Sequence, residues 1–192
     1  MSLETVVLDH LPTHYAVHLA LFRDVRNATF LHSQLLALNL DFEYGLVDAS
    51  VIVSRQHLLA AVFKAVTSSA TDTLKTPNVH SEIVASLSPS KNIAEAYRRF
   101  GISPNTKDLI VVKVIKDDSL SAEKISAHLA SHVEGSWVPV TDEGIAAATN
   151  MTKILKYYKL NGLNWMNSIK DTKAKHKEIE MLVLGAMALH GV

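Results

Sequence analysis

The last helical stretch of the chain, Ile179 to His190, has no polar side. Ile179, Leu182, Val183, Ala186 and Leu189 fall on one face, and Met181, Leu184, Gly185 and Ala188 cover much of the other. After Glu180 no residue of the stretch carries a fixed charge. A surface helix normally sets an apolar stripe against a polar back. One that is apolar all round is either sandwiched within its own core or keeps one face for a partner. Gly185 bears on that choice, because a mid-helix glycine costs about 1 kcal/mol relative to alanine. It is useful where another backbone approaches closely. The expectation is that the first set holds the helix to its own domain and the second set is a docking surface.

The rest of the chain alternates capped helices with short strands. Tyr15–Phe22 reads as a strand and Asn27–Leu38 as a helix, while the apolar run Tyr44–Val53 is ambiguous. Ser54 caps a helix whose Leu58, Ala61, Val62, Ala65 and Val66 form a core-facing stripe. Thr67–Asn78, which contains Pro77, reads as a loop and Glu82–Leu87 as a strand. Asn92 and Glu95 have capping-box spacing at the head of a helix that runs to Phe100 with Ile93, Ala96, Tyr97 and Phe100 inward. Gly101 stands where a left-handed helix cap is expected. Leu109–Ile115 is a strand rich in β-branched residues. Ser121 starts a helix carrying Ile125 and Leu129, and Trp137–Val140 is extended. Thr141 caps a long helix ended by Asn161-Gly162, with acids first and lysines last, as the helix dipole favours. Asn164–Ile169 is a short helix, and Lys170–Lys177 reads as a charged, solvated stretch. Several helices around a few strands predict an α+β (mixed α/β) fold, and no linker divides residues 1–192, so a single domain is expected.

Composition narrows the function classes. Nineteen basic and nineteen acidic side chains cancel, whereas a protein that grips nucleic acid unaided usually carries a basic excess. Cysteine is absent, which excludes disulfides, thiolate metal sites and thiol nucleophiles and suggests an intracellular compartment. The start, Met1-Ser2-Leu3-Glu4, lacks secretory-signal character, and no apolar run reaches bilayer length, so a soluble protein with no membrane partner is expected.

Motifs for catalysis are sparse. Phosphate-cradling, dinucleotide and Gly-x-Ser-x-Gly signatures are missing. Ser121-Ala122-Glu123-Lys124 matches Ser-x-x-Lys without its companion elements and reads as a helix cap. His128 and His132 share a helix face, but Leu129 replaces the glutamate of a metalloprotease and no third ligand is evident. No metal, no cofactor and no enzymatic activity are expected. A small enzyme with a histidine or carboxylate site and an autonomous RNA-binding domain are the alternatives; converging titratable groups in a pocket would mark the former. The turn Ser88-Pro89-Ser90-Lys91-Asn92 admits two readings, an anion or RNA-terminus cradle and a simple cap.

Taken in order, Ser86–Ile102 (SLSPSKNIAEAYRRFGI), Asp108–Val114, the Ser54 helix with His57-Leu58, Ala61 and Lys64-Ala65, and the ending Ala188–Val192 resemble the PRPK-binding protein family. These are kinase-binding subunits of the KEOPS (EKC) complex, and the ending is similar to that of fungal members. The resemblance implies an antiparallel sheet flanked by helices and a non-catalytic role. It implies binding to the kinase-like ATPase subunit, indirect contact with other KEOPS subunits, and support of threonylcarbamoyladenosine formation in tRNA, with help in holding the tRNA 3′ end. It further implies links to telomere maintenance and transcription, and hence a nuclear and cytoplasmic location. Carried onto this chain, it makes Met181, Leu184, Gly185 and Ala188 the candidate kinase-binding residues. It makes Lys64, Lys91, Arg98 and Arg99 the candidate tRNA-binding residues.

Overall fold

β-Branched side chains pack well on a pleated surface, and the chain concentrates them in β4 (Leu109–Ile115), the strand read from the sequence. In the computed structural model, which describes residues 3–12, 14–116 and 120–189, β4 lies inside an antiparallel sheet. It pairs along its whole length with β2 (Ala16–Arg23), from Ala16 opposite Ile115 to Phe22 opposite Leu109. Its other edge takes β3 (Gly45–Asp48), which resolves the ambiguous apolar run. The outer edge of β2 is shared end to end by β1 (Glu4–Val6), which the sequence reading missed, and β5 (Ser136–Val138).

Both faces of the sheet are covered, so β2 and β4 are apolar at nearly every position rather than alternating. On one face Leu19, Leu21, Ile110 and Val112 meet α2 (Arg55–Ala70), α3 (Val79–Ser86), α4 (Ile93–Phe100), α6 (Asp142–Ala148), α7 (Met151–Tyr157) and α8 (Thr172–Ala188) in one core. On the other, Ala20, Phe22, Leu109 and Val111 meet α1 (Ala28–Leu36) and α5 (Ala122–His132). The result is a helix–sheet–helix sandwich.

Three expectations are overturned. Glu82–Leu87 is helical, in α3. Asn78 caps it through Ser81 N–H, and the buried Glu82 carboxylate turns inward to accept from Lys75 N–H, Thr76 N–H and the Thr76 hydroxyl at 2.7–3.0 Å. The long helix from Thr141 is two helices. Its break is anchored by the Thr149 hydroxyl on Ile52 O and by Asn150 N–H on Ser50 O, and Asn150 then caps α7. Gly101 is extended, at φ −77°, instead of left-handed. It is needed because a Cβ there would stand 2.7 Å from Tyr97 O.

Within the larger core a polar relay ties four segments together. Val53 N–H donates to His57 Nδ1 (3.2 Å), so the neutral ring carries its proton on Nε2. That N–H donates to the Tyr158 hydroxyl (2.9 Å), which donates to Leu87 O (2.5 Å). His57 is fully buried, and burial pushes its pKa down to about 3. His80, also buried, accepts from Val114 N–H (3.0 Å), and burial lowers its pKa as well.

Both histidines favour the unfolded state in mild acid. In the unfolded chain they take up protons below about pH 6.5, whereas in the folded chain they resist. The unfolded state then binds more protons, and stability falls as pH falls. The unfolding free energy from urea titrations should decline from about pH 6.5 downward, by up to ~1.4 kcal/mol per pH unit for each histidine, before carboxylates begin to titrate. A flat profile between pH ~6.5 and ~5 would contradict this assignment.

Candidate functional site

The apolar C-terminal helix begins well before Ile179. Asp171 caps α8 by accepting from Lys173 N–H (2.9 Å), so the stretch expected to be solvated, Lys170–Lys177, supplies its first turns. Ile179, Val183 and Met187, spaced four apart, are buried against the core shared with α2. Burying three such side chains stabilises the helix by about 1.5–3 kcal/mol each. Leu182 and Ala186 are half-buried beside them. Leu189, expected in the core stripe, is instead 72% exposed at the cap, and Met187 takes the inward place. The expected stripe drifted because it followed i+3 steps, whereas the packed row keeps to i+4.

The opposite face is open. Met181 is 58% exposed, Gly185 and Ala188 are exposed, and Leu184 is half-buried. These are the four residues named as candidate kinase contacts. A Cβ on Gly185 would meet nothing within 4 Å. Its glycine therefore serves no packing need inside this chain. His190, Gly191 and Val192 lie outside the described residues.

The end of α8 is held by a residue proposed for another role. Lys64, on α2, donates its ammonium to Met187 O at 3.1 Å, which satisfies a carbonyl of the last helical turn. Burial lowers its pKa. Next to it in sequence, Phe63 is 39% exposed on the outer side of α2. Sequence reading passed over Phe63 because it falls outside the core-facing stripe of Leu58, Ala61, Val62, Ala65 and Val66.

The other cations cluster on α4. Arg99 pairs with Glu95 (2.5 Å) and lies over the Tyr157 ring at 5.0 Å, so it staples α4 to α7. Arg98 reaches the same carboxylate only at 3.9 Å and its side chain is 76% exposed. Lys91 is exposed at the opposite end of the helix. Lys64 belongs to a different helix, so the structure unites Arg98 and Arg99 around one glutamate and spreads the remaining pair. In the turn before α4 the serines consume the amides: Ser90 N–H donates to Ser88 Oγ, Asn92 N–H to Ser90 Oγ and Glu95 N–H to Asn92 Oδ1. That is the capping arrangement, with no amide of those three left to cradle an anion.

The residues weighed for catalysis are engaged structurally. Ser121 caps α5 through Lys124 N–H. His128 and His132 stack at 4.3 Å, with His128 Nδ1 bonded to the Tyr44 hydroxyl and His132 Nδ1 to His128 O. Among the described residues no group of three or more His, Cys, Asp or Glu could hold a metal ion. A cleft of about 840 Å³ lies between Arg55 and Trp137–Glu143. There the Arg55 guanidinium is occupied by Glu4 (2.5 and 2.8 Å) and Val140 O (2.7 Å). A second cleft, of about 490 Å³, holds Lys153 on Ser50 (2.9 Å) and near Asp48 (3.7 Å). Its Asp108 is bonded to Arg23 (2.6 Å). In each cleft a cation is thus engaged by a carboxylate, Arg55 by Glu4 and Lys153 by Asp48.

Comparison with known proteins gives one consistent result. Residues 22–191 match the family described as kinase binding protein CGI-121. The chain is 57% identical over 197 residues to the EKC/KEOPS complex subunit CGI121 of Gibberella zeae, covering all of both chains. It is 44% identical over 207 residues to the subunit of that name in Neurospora crassa, again covering all of both. To the Schizosaccharomyces pombe subunit it is 31% identical over 145 residues, covering 76% of this chain and 82% of the relative.

The empty space around Gly185 has a measurable consequence for the free protein. Gly185→Ala should raise its stability by about 1 kcal/mol, the ordinary helix-propensity gain. Urea denaturation of the isolated chain checks this; a loss of stability would mean that Gly185 is needed by the fold.

Proposed function

This chain belongs to the CGI-121 family of kinase binding proteins, and we propose that it acts as a non-catalytic subunit of an EKC/KEOPS complex. It docks onto the kinase-like subunit through the outer face of α8, with Met181, Leu184, Gly185 and Ala188 as contacts. One observation carries the choice of surface. Gly185 lowers helix propensity in the middle of α8, while an added Cβ there would meet nothing within 4 Å among the described residues. A glycine at such a point is explained by a backbone arriving from outside. The neighbouring Met181, 58% exposed, is a flexible apolar side chain suited to filling an irregular contact. Arg55 and Lys153 in the two clefts are held by Glu4 and Asp48, which favours a structural role for them over chemistry.

Leu184→Arg tests the reading. Half-buried at the edge of the open face, it should leave the isolated fold intact while weakening kinase binding by more than about 30-fold, the loss expected at a hot spot. Calorimetry with the kinase-like subunit of the same organism measures it. Unchanged affinity would refute the surface.

Within that complex the subunit supports threonylcarbamoyladenosine formation in tRNA by helping to hold the 3′ end. The exposed Arg98 and Lys91 are the cations most open to phosphate, since Arg99 and Lys64 are half-buried. A Lys91→Glu, Arg98→Glu double variant should lower tRNA affinity and flatten its salt dependence by about two phosphate contacts. Equal binding at all salt concentrations would move the RNA contacts elsewhere.

A further inference from the structure

The charges of α8 run against its dipole. Lys173, Lys175 and Lys177 occupy its first turns, with Lys170 just before them, while Glu178 and Glu180 follow. The N-terminal turn contains no acidic residue. Cations at that end are disfavoured by the partial positive charge of the unpaired amides, and like charges four apart, as Lys173 and Lys177 are, repel. Among the described residues, no carboxylate forms a salt bridge with any of the four lysines. Within the chain the Asp171 cap, bonded to Lys173 N–H, answers the helix dipole, but no carboxylate pairs with the lysine ammoniums among the described residues.

The position of these charges supplies a reason. Lys173 and Lys177 are exposed, and the step of four that joins them continues to Met181 and Gly185. They prolong the apolar face proposed to dock the kinase. At 1.5 Å per residue, Lys177 lies about 6 Å and Lys173 about 12 Å along the axis from Met181. A stable protein interface covers roughly 800 Å² per partner, more than Met181, Leu184, Gly185 and Ala188 can supply. Extended along α8, the footprint reaches the two lysines first.

We infer that the docked kinase-like partner carries a carboxylate-rich strip that seats against Lys173 and Lys177, so that α8 is a two-part ligand with an apolar end and a basic end. This rests on the docking reading above. RNA suits the strip less well. Across residues 170–180 the four lysines face Asp171, Glu178 and Glu180, a net charge of +1 apart from His176, and Glu178 is the residue after Lys177. Cations followed at once by carboxylates match a patterned protein surface better than a uniform polyanion.

The test is a Lys173→Glu, Lys177→Glu double variant of the full chain. Its binding to the kinase-like subunit is measured at about 50 mM and about 500 mM salt, where screening differs several-fold. At low salt the variant should bind at least about 10-fold more weakly, chiefly through a slower on-rate, and should respond less to salt than the natural chain. The free variant should melt about 1–3 °C higher, because the dipole conflict is relieved. Unchanged affinity, or a lower melting temperature, overturns the proposal. So does a variant that loses only tRNA binding, which would assign the strip to RNA. If the natural chain itself fails to bind the kinase-like subunit, the docking reading has failed and this inference goes with it. If the natural chain binds and the variant binds equally, only the basic strip is refuted.

Discussion

The relay from Val53 N–H through His57 and Tyr158 to Leu87 O is the constraint on which the placement of the helices depends. It joins the chain between β3 and α2, the head of α2, the end of α7 and the end of α3, at a buried point. Each donor in it meets an acceptor, which is the condition for a buried polar chain to hold a structure together. Leaving one member unpartnered would cost about 1–3 kcal/mol. With its first turn pinned there, α2 is a fixed platform. Further along it, Lys64 reaches α8 through its bond to Met187 O. The relay thus steadies the helix against which α8 packs.

This layering explains why one helix can remain half uncovered. The sheet buries both faces, so each layer of helices has a core side and an outer side. α8 holds to the core by Ile179, Val183 and Met187. For most helices of such a sandwich the outer side is polar, as hydration demands. On α8 it is apolar at one end and basic at the other, and neither part finds a counterpart among the described residues. An apolar surface left in water forgoes roughly 25 cal/mol for each Å² that a partner would cover. That is the driving force available to docking.

The open face of α8 was legible in the sequence, because amphipathic spacing is a local property. Met181, Gly185 and Ala188 were assigned outward from periodicity and are exposed. The errors came where a distant residue decides. Glu82–Leu87 has the composition of a strand, but Thr76 and Lys75 claim the Glu82 carboxylate and Asn78 caps the helix. The helix from Thr141 is interrupted because Ile52 O and Ser50 O capture Thr149 and Asn150. Leu189 and Met187 exchanged roles through the choice between i+3 and i+4 steps. Lys64 looked like a surface cation, and nothing in its neighbours foretold a carbonyl at the far end of the chain.

The same features fix the character of the surface proposed for docking. Three buried side chains and the Lys64 bond hold α8 in place, so the face is formed before the partner arrives. A preformed face avoids most of the ordering cost that a segment folding on contact must meet. Glycine in mid-helix and lysines at its N-terminus each lower stability by an amount near 1 kcal/mol or less, too little to detach a helix anchored by several times that. The core contacts thus tolerate an outer face whose residues suit another molecule better than their own helix. Rigidity on the inner side is what permits that compromise on the outer one.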